Sequence, residues 1–124
     1  MANILIFHDG PGYEEALNTK GHKILSFSDK DPALESAQTH KWDLALVNAD
    51  LPQGIEVLNG LKQTIPEIRL LTVMGSPSLS RLREAISMGV QEILYTPLEP
   101  GELETKVTKV AKATKRNLKE ALAL

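Results

Sequence analysis

Five short apolar runs alternate along the chain with five amphipathic stretches. The runs are NILIF (3–7), KILSF (23–27), DLALV (43–47), RLLTVM (69–74) and EILY (92–95). Runs one, three and four are almost continuously apolar, which predicts strands covered by helices on both faces. The second run alternates more and suits a strand nearer the edge of a sheet.

The stretches between the runs carry helix signals with their punctuation. PGYEEALNTKG (11–21) has Pro11 at a helix start and Gly21 at its end. In SDKDPALESAQTHK (28–41), Asp31 is the expected N-cap, with Pro32 at the first helical position. GIEVLNGLKQTIP (54–66) places Ile55, Leu58, Leu61 and Ile65 on one face, and Pro66 stops it. SPSLSRLREAISMG (76–89) turns Leu79, Leu82, Ala85 and Ile86 inward, with Gly89 just past its end. The last helix, over about 100–122, has Leu103, Val107 and Val110 as its apolar stripe. Such strict alternation predicts an α/β fold: a five-stranded, doubly wound parallel sheet of order 2-1-3-4-5 with right-handed crossovers. In that topology the order reverses between strands one and three. Ligands then meet FHDG (7–10) and VNADLP (47–52) at the carboxyl ends of those strands.

The 124 residues suffice for one domain, 1–124, with a substantial core. Hydrophobic residues at 42% and charged residues at 24% are ordinary for a globular protein, and a net charge of −2 points to neither nucleic acid nor membrane. The chain contains no cysteine, which removes disulfides, thiolate metal sites and thiol nucleophiles. No apolar run approaches membrane-spanning length, and MANILIF lacks the features of a signal peptide. The expected localisation is cytoplasmic.

Candidate chemistry concentrates where the third run ends, in LALVNADLP (44–52). The apolar residues stop at Asn48, and Pro52 forbids further pairing. Together with ILIFHDG (4–10), PEIRLLTVMGS (66–76) and AISMGVQEILYTPLEPGEL (85–103), this stretch resembles the receiver domain of two-component response regulators over nearly the whole chain. The resemblance implies a flavodoxin-like fold and a site built of four parts. An aspartate ending the third strand accepts a phosphoryl group from a histidine kinase. An acidic pair after the first strand holds Mg²⁺. A Ser or Thr ending the fourth strand and a Lys ending the fifth contact the phosphoryl oxygens.

Carried over residue by residue, these roles fall on a depleted set. The acidic pair becomes His8 and Asp9, and the phosphoacceptor position becomes Asn48. The hydroxyl position becomes Met74, followed by Gly75, and the lysine position becomes Thr96, directly before Pro97. An aromatic position in the fifth strand becomes Ile93, and the first helix is about a turn short. An amide is a very poor nucleophile beside a carboxylate, so the resemblance is to a degenerate pseudo-receiver rather than to an enzyme.

Several residues invite a sharper reading. Asp50 could be a relocated acceptor, although a solvated acid or an Asx turn before Leu51-Pro52 is the plainer expectation. Asp9 and Asp50 could hold Mg²⁺, but weakly, and the cleft is expected to be empty of it. His8 is expected to be a hydrogen-bonded structural residue, with His22 and His40 on the surface. DGPG (9–12) lacks the phosphate-cradling patterns. The basic stripe of Lys106, Lys109, Lys112, Lys115, Arg116 and Lys119 reads as a solvated helix face.

Two functions remain. The first is a signalling module acting through protein contacts on a face carrying Arg81, Arg83, Glu84, Tyr95 and Lys106. Its partners would be a histidine kinase, an effector domain or a second copy, with nucleic acid reached only through an attached effector. The second is a small-molecule or nucleotide binder using the cleft around His8, Asp9, Asn48 and Gly75. The absence of a complete nucleophile, base and donor set favours the first.

Overall fold

The computed structural model describes residues 2–10, 12–18 and 21–112. Pro11, the expected start of the first helix, lies outside them, as does 113–124 with Lys115, Arg116 and Lys119. The elements are β1 (Asn3–Phe7), α1 (Tyr13–Asn18), β2 (Lys23–Phe27), α2 (Lys30–Thr39) and β3 (Leu44–Asn48). They continue with α3 (Gly54–Thr64), β4 (Arg69–Met74), α4 (Leu79–Ser87), β5 (Glu92–Tyr95) and α5 (Glu102–Lys112). All strand pairings are parallel, in the order β2-β1-β3-β4-β5 that the alternation predicts.

Side-chain alternation splits the core into two layers. Leu5, Phe7, Ala45, Val47, Leu70 and Met74 face Ala33, Ala37, Val57, Leu58, Leu61 and Ala85 of α2, α3 and α4. On the other side, Ile4, Ile6, Leu44, Leu46, Leu71 and Val73 face Leu17 of α1 and Leu103, Val107 and Val110 of α5. Leu44 through Val47 are completely buried, which accounts for the unbroken apolar run. Thr72 is the fully buried polar residue of β4, and its hydroxyl donates to the Val47 carbonyl at 3.0 Å.

Local chemistry moves two boundaries and turns one expected core residue outward. Asp43 precedes β3 instead of starting it, because its carboxylate accepts the Asn3 N–H at 2.8 Å. The N-cap of α2 is Asp29 rather than Asp31, and the Lys30 N–H reaches Gln53 Oε1 at 3.3 Å. Asp31 and Pro32 lie within the first turn, where a missing N–H costs nothing. Leu79 opens α4 beyond the edge of the core and is 62% exposed, so it does not point inward as the helical spacing suggests. Gly89 does follow the α4 C-cap, with φ +83°.

One glycine decides how closely α3 approaches the end of β3. A Cβ on Gly54 would lie 2.5 Å from the Asn48 carbonyl oxygen and 2.7 Å from Ala49 Cα. Gly54→Ala is therefore expected to destabilise the fold by about 1–3 kcal/mol, the usual cost of overpacking. Urea unfolding that shows no loss would mean that the turn yields freely.

Candidate functional site

The carboxyl edges of β1 and β3 bring His8 and Asn48 together. His8 extends the ladder past Phe7, its N–H donating to the Phe27 carbonyl at 2.9 Å. The Asn48 side chain uses both of its polar atoms. Oδ1 accepts the Asp50 N–H at 3.0 Å, an Asx turn, and Nδ2 donates to His8 Nδ1 at 3.0 Å. An amide NH₂ can only donate, so Nδ1 is an acceptor and the imidazole is neutral with its proton on Nε2. The ring stacks on Tyr13, with centroids 3.9 Å apart and planes 14° apart. Burial holds the His8 pKa below its ordinary value, and the nearby Asp9 charge opposes this only in part. Burial also raises the Tyr13 pKa, helped by the charge on Asp50.

The other side of the cleft is organised by Asp50. Sequence reasoning expects a solvated loop acid or an Asx turn before Leu51-Pro52; Asp50 is exposed in the loop, the Asx turn belongs to Asn48, and the Asp50 carboxylate turns toward β4. Oδ2 accepts the Gly75 N–H at 2.6 Å, and Oδ1 accepts from Arg81 Nη1 at 3.2 Å. Arg81 Nη2 also donates to the Ala49 carbonyl. A Cβ on Gly75 would lie 2.9 Å from Thr96 Oγ1 and 3.2 Å from Asp50 Oδ2, so the ends of β3, β4 and β5 converge there. Thr96 and Pro97 are exposed and joined by a cis peptide bond. Met74, at the expected hydroxyl position, is fully buried in the core and offers nothing to the cleft.

This donor set does not fit Mg²⁺. A hard cation needs several free oxygen ligands, yet Asn48 Oδ1 is committed to a backbone N–H and both Asp50 oxygens are engaged. That leaves Asp9 as the carboxylate at the end of β1. Among the described residues, no group of three His, Asp or Glu side chains could hold a metal. Beside the cleft lies an open groove of about 400 Å³, onto which both Asp9 and Asp29 face. Two carboxylates there disfavour a nucleotide phosphate.

The candidate interaction residues separate into two groups. Arg83 and Glu84 on α4 and Tyr95 on β5 are exposed, Tyr95 by 48%. Lys106 and Lys109 of α5 each lie 3.5 Å from the Glu92 carboxylate of β5. Arg81 does not share their outward aspect, since its guanidinium turns back onto Asp50 and Ala49. Sequence reasoning missed this role for Arg81 and the Tyr13 stack. Arg81 stands three residues after Ser78, whose hydroxyl caps α4 by accepting the Arg81 N–H at 3.2 Å, but nothing in that spacing reveals where the guanidinium goes. The His22 ring is also less free than expected, with Nδ1 accepting the Ala2 N–H at 3.1 Å.

The family model "Response regulator receiver domain" matches residues 11–108. The chain belongs to that family. Among curated proteins this receiver domain is 27% identical over 93 residues to the alkaline phosphatase synthesis transcriptional regulatory protein PhoP of Bacillus subtilis, covering 73% of the chain and 39% of that relative. It is 29% identical over 106 residues to the luminescence regulatory protein LuxO of Vibrio campbellii, covering 83% of the chain and 23% of that relative. The chain thus spans well under half of either relative. Among solved structures, a CheY-like receiver domain protein from Methanospirillum hungatei superimposes with a TM-score of 0.82 at 21% identity, over 90% of this chain and 94% of that one. Receiver domains interact with histidine kinases and effector domains, and no helix among the described residues is long and apolar enough to cross a membrane.

The neutral His8 makes stability depend on pH. Its folded pKa lies below the ordinary histidine value of 6.5, so between the two values the unfolded chain binds more protons. The His8 contribution is complete above about 6.5 and declines as pH falls from there to the folded pKa. His8→Gln should flatten that part of the pH–stability curve. An NMR titration placing His8 at or above 6.5 would contradict the assignment.

Proposed function

We propose that this receiver domain signals through protein contacts and takes no phosphoryl group at Asn48. The observation that carries the reading is the amide itself. It stands at the acceptor position at the end of β3, with both polar atoms engaged by Asp50 N–H and His8 Nδ1. An amide makes no acyl phosphate at neutral pH, and neither the buried Met74 nor Thr96 supplies a lysine's charge where a transferred phosphoryl would develop its own. The protein is then not an enzyme and needs no Mg²⁺. It works in the cytoplasm, through the α4, β5 and α5 face that presents Arg83, Glu84, Tyr95 and Lys106. The partner is a histidine kinase, an effector domain attached to the receiver or a second copy, and any contact with nucleic acid belongs to that effector.

The competing acceptor is Asp50. What weighs against it is that its oxygens are already held by the Gly75 N–H and the Arg81 guanidinium, so attack would require breaking contacts that stabilise the carboxylate. A nucleotide in the neighbouring groove is disfavoured by the two carboxylates, Asp9 and Asp29, that line it.

Incubation with acetyl phosphate and Mg²⁺ should leave the intact mass unchanged. Asn48→Asp alone should be phosphorylated slowly at most, whereas His8→Asp, Asn48→Asp and Thr96→Lys combined should be phosphorylated distinctly faster. A phosphoryl group mapped to Asp50 or Asp9 of the unmodified protein would overturn the reading.

The same protein titrated with millimolar Mg²⁺ in a calorimeter should give no saturating heat. Micromolar binding that disappears in Asp9→Ala would refute the cation argument.

A further inference from the structure

We propose that the Asp50 carboxylate is a built-in anion, which occupies the donors of the cleft and holds the β4–α4 loop and α4 in one fixed position without any phosphoryl transfer. The inference rests on the reading that Asn48 accepts no phosphoryl group, and it says what fills the cleft instead. The Gly75 N–H at 2.6 Å and Arg81 Nη1 at 3.2 Å approach different oxygens of one carboxylate. Arg81 Nη2 holds the neighbouring Ala49 carbonyl, so one guanidinium spans from α4 to two consecutive residues after β3. Thr96 Oγ1 borders the same space from the end of β5. A backbone N–H, a cation and a hydroxyl gathered at the ends of three parallel strands form an anion-binding arrangement, and here the anion is covalently part of the chain.

Three features set the carboxylate there. The Asx turn donates the Asp50 N–H to Asn48 Oδ1, which fixes the direction in which Asp50 leaves β3. Gly75 carries no Cβ, and a Cβ would stand 3.2 Å from Asp50 Oδ2 and 2.9 Å from Thr96 Oγ1. The next residue, Ser76, has φ +24°, a rare conformation for a residue with a side chain, which persists where its surroundings hold it. Asp50 grips the loop one residue before it. The negative charge also reaches the Tyr13 hydroxyl across the cleft. Asp50 therefore ties the loops after β3 and β4 to α4, whose outer side carries Arg83 and Glu84. A partner reading that face meets a single state, set by a carboxylate that no kinase adds and no phosphatase removes.

A double-mutant cycle read by backbone NMR tests this on the intact chain. Asp50→Asn keeps the shape and removes the charge, and Arg81→Gln removes the cation from a partly exposed position. Each single variant is expected to shift the amide resonances of α4 (Leu79–Ser87), and the double variant should shift them no further than either single. The Gly75 amide should exchange with solvent about tenfold faster in Asp50→Asn, as befits the loss of one charge-assisted hydrogen bond. Additive shifts, or an Asp50→Asn spectrum that leaves Gly75 and α4 in place, would overturn the clamp. Acetyl phosphate treatment of the same wild-type sample separates the two conclusions. A mass gain with the coupling intact refutes the absence of transfer, and an unchanged mass with no coupling refutes the clamp alone.

Discussion

The cleft depends on β3 being buried on both faces between β1 and β4. A strand in that position must be apolar along its length, and Leu44 to Val47 are fully buried. Polar side chains can therefore appear only where the strand leaves the sheet, at Asn48 and beyond. The exit is tightly constrained, because α3 begins at Gly54 within contact distance of the Asn48 carbonyl and Ala49. The loop between them has little freedom, so the directions of the Asn48 and Asp50 side chains are consequences of packing several residues away.

A chain of polar contacts runs across the carboxyl edge from this exit. Tyr13 stacks on His8, His8 accepts from Asn48, Asn48 accepts from the Asp50 N–H, and Asp50 accepts from Gly75 and Arg81. The chain links α1, β1, β3, β4 and α4 along one edge of the sheet. The exposed pair of Asp50 and Arg81 would count for little as an isolated surface salt bridge, since both side chains are more than a third exposed. Its importance lies in the backbone N–H that shares the carboxylate and in the second guanidinium bond to Ala49, which together define a position for α4.

The strands were legible in the sequence almost to the residue, because burial on both faces leaves an unmistakable apolar run and the β2 edge leaves a mixed one. The positions onto which the family's roles fall were legible as well, since Asn48, Met74 and Thr96 stand at or just past the ends of β3, β4 and β5. What escaped was direction. Helical periodicity turns Leu79 inward, but the first turn of α4 projects past the core. Asp50 and Arg81 are both ordinary surface residue types, and 31 positions separate them along the chain. Only the folded loop geometry shows that they meet. The Asp31 N-cap failed for a similar reason, because a contact with Gln53 from another element engages the first turn of α2.

The two kinds of legibility reflect two independent demands on the same scaffold. The core layers on either side of the sheet leave out His8, Asn48, Asp50, Gly75, Arg81 and Thr96, and Met74 belongs to the core. Met74 at the end of β4 is fully buried in the cluster that also holds Phe7, Val47 and Ala85, so it adds apolar volume to the core. The fold can thus keep its stability while the edge exchanges one set of polar partners for another. Under that freedom, the edge still has a constraint of its own. The N–H of Gly75 and the guanidinium of Arg81 both find an acceptor in one carboxylate, two residues beyond Asn48.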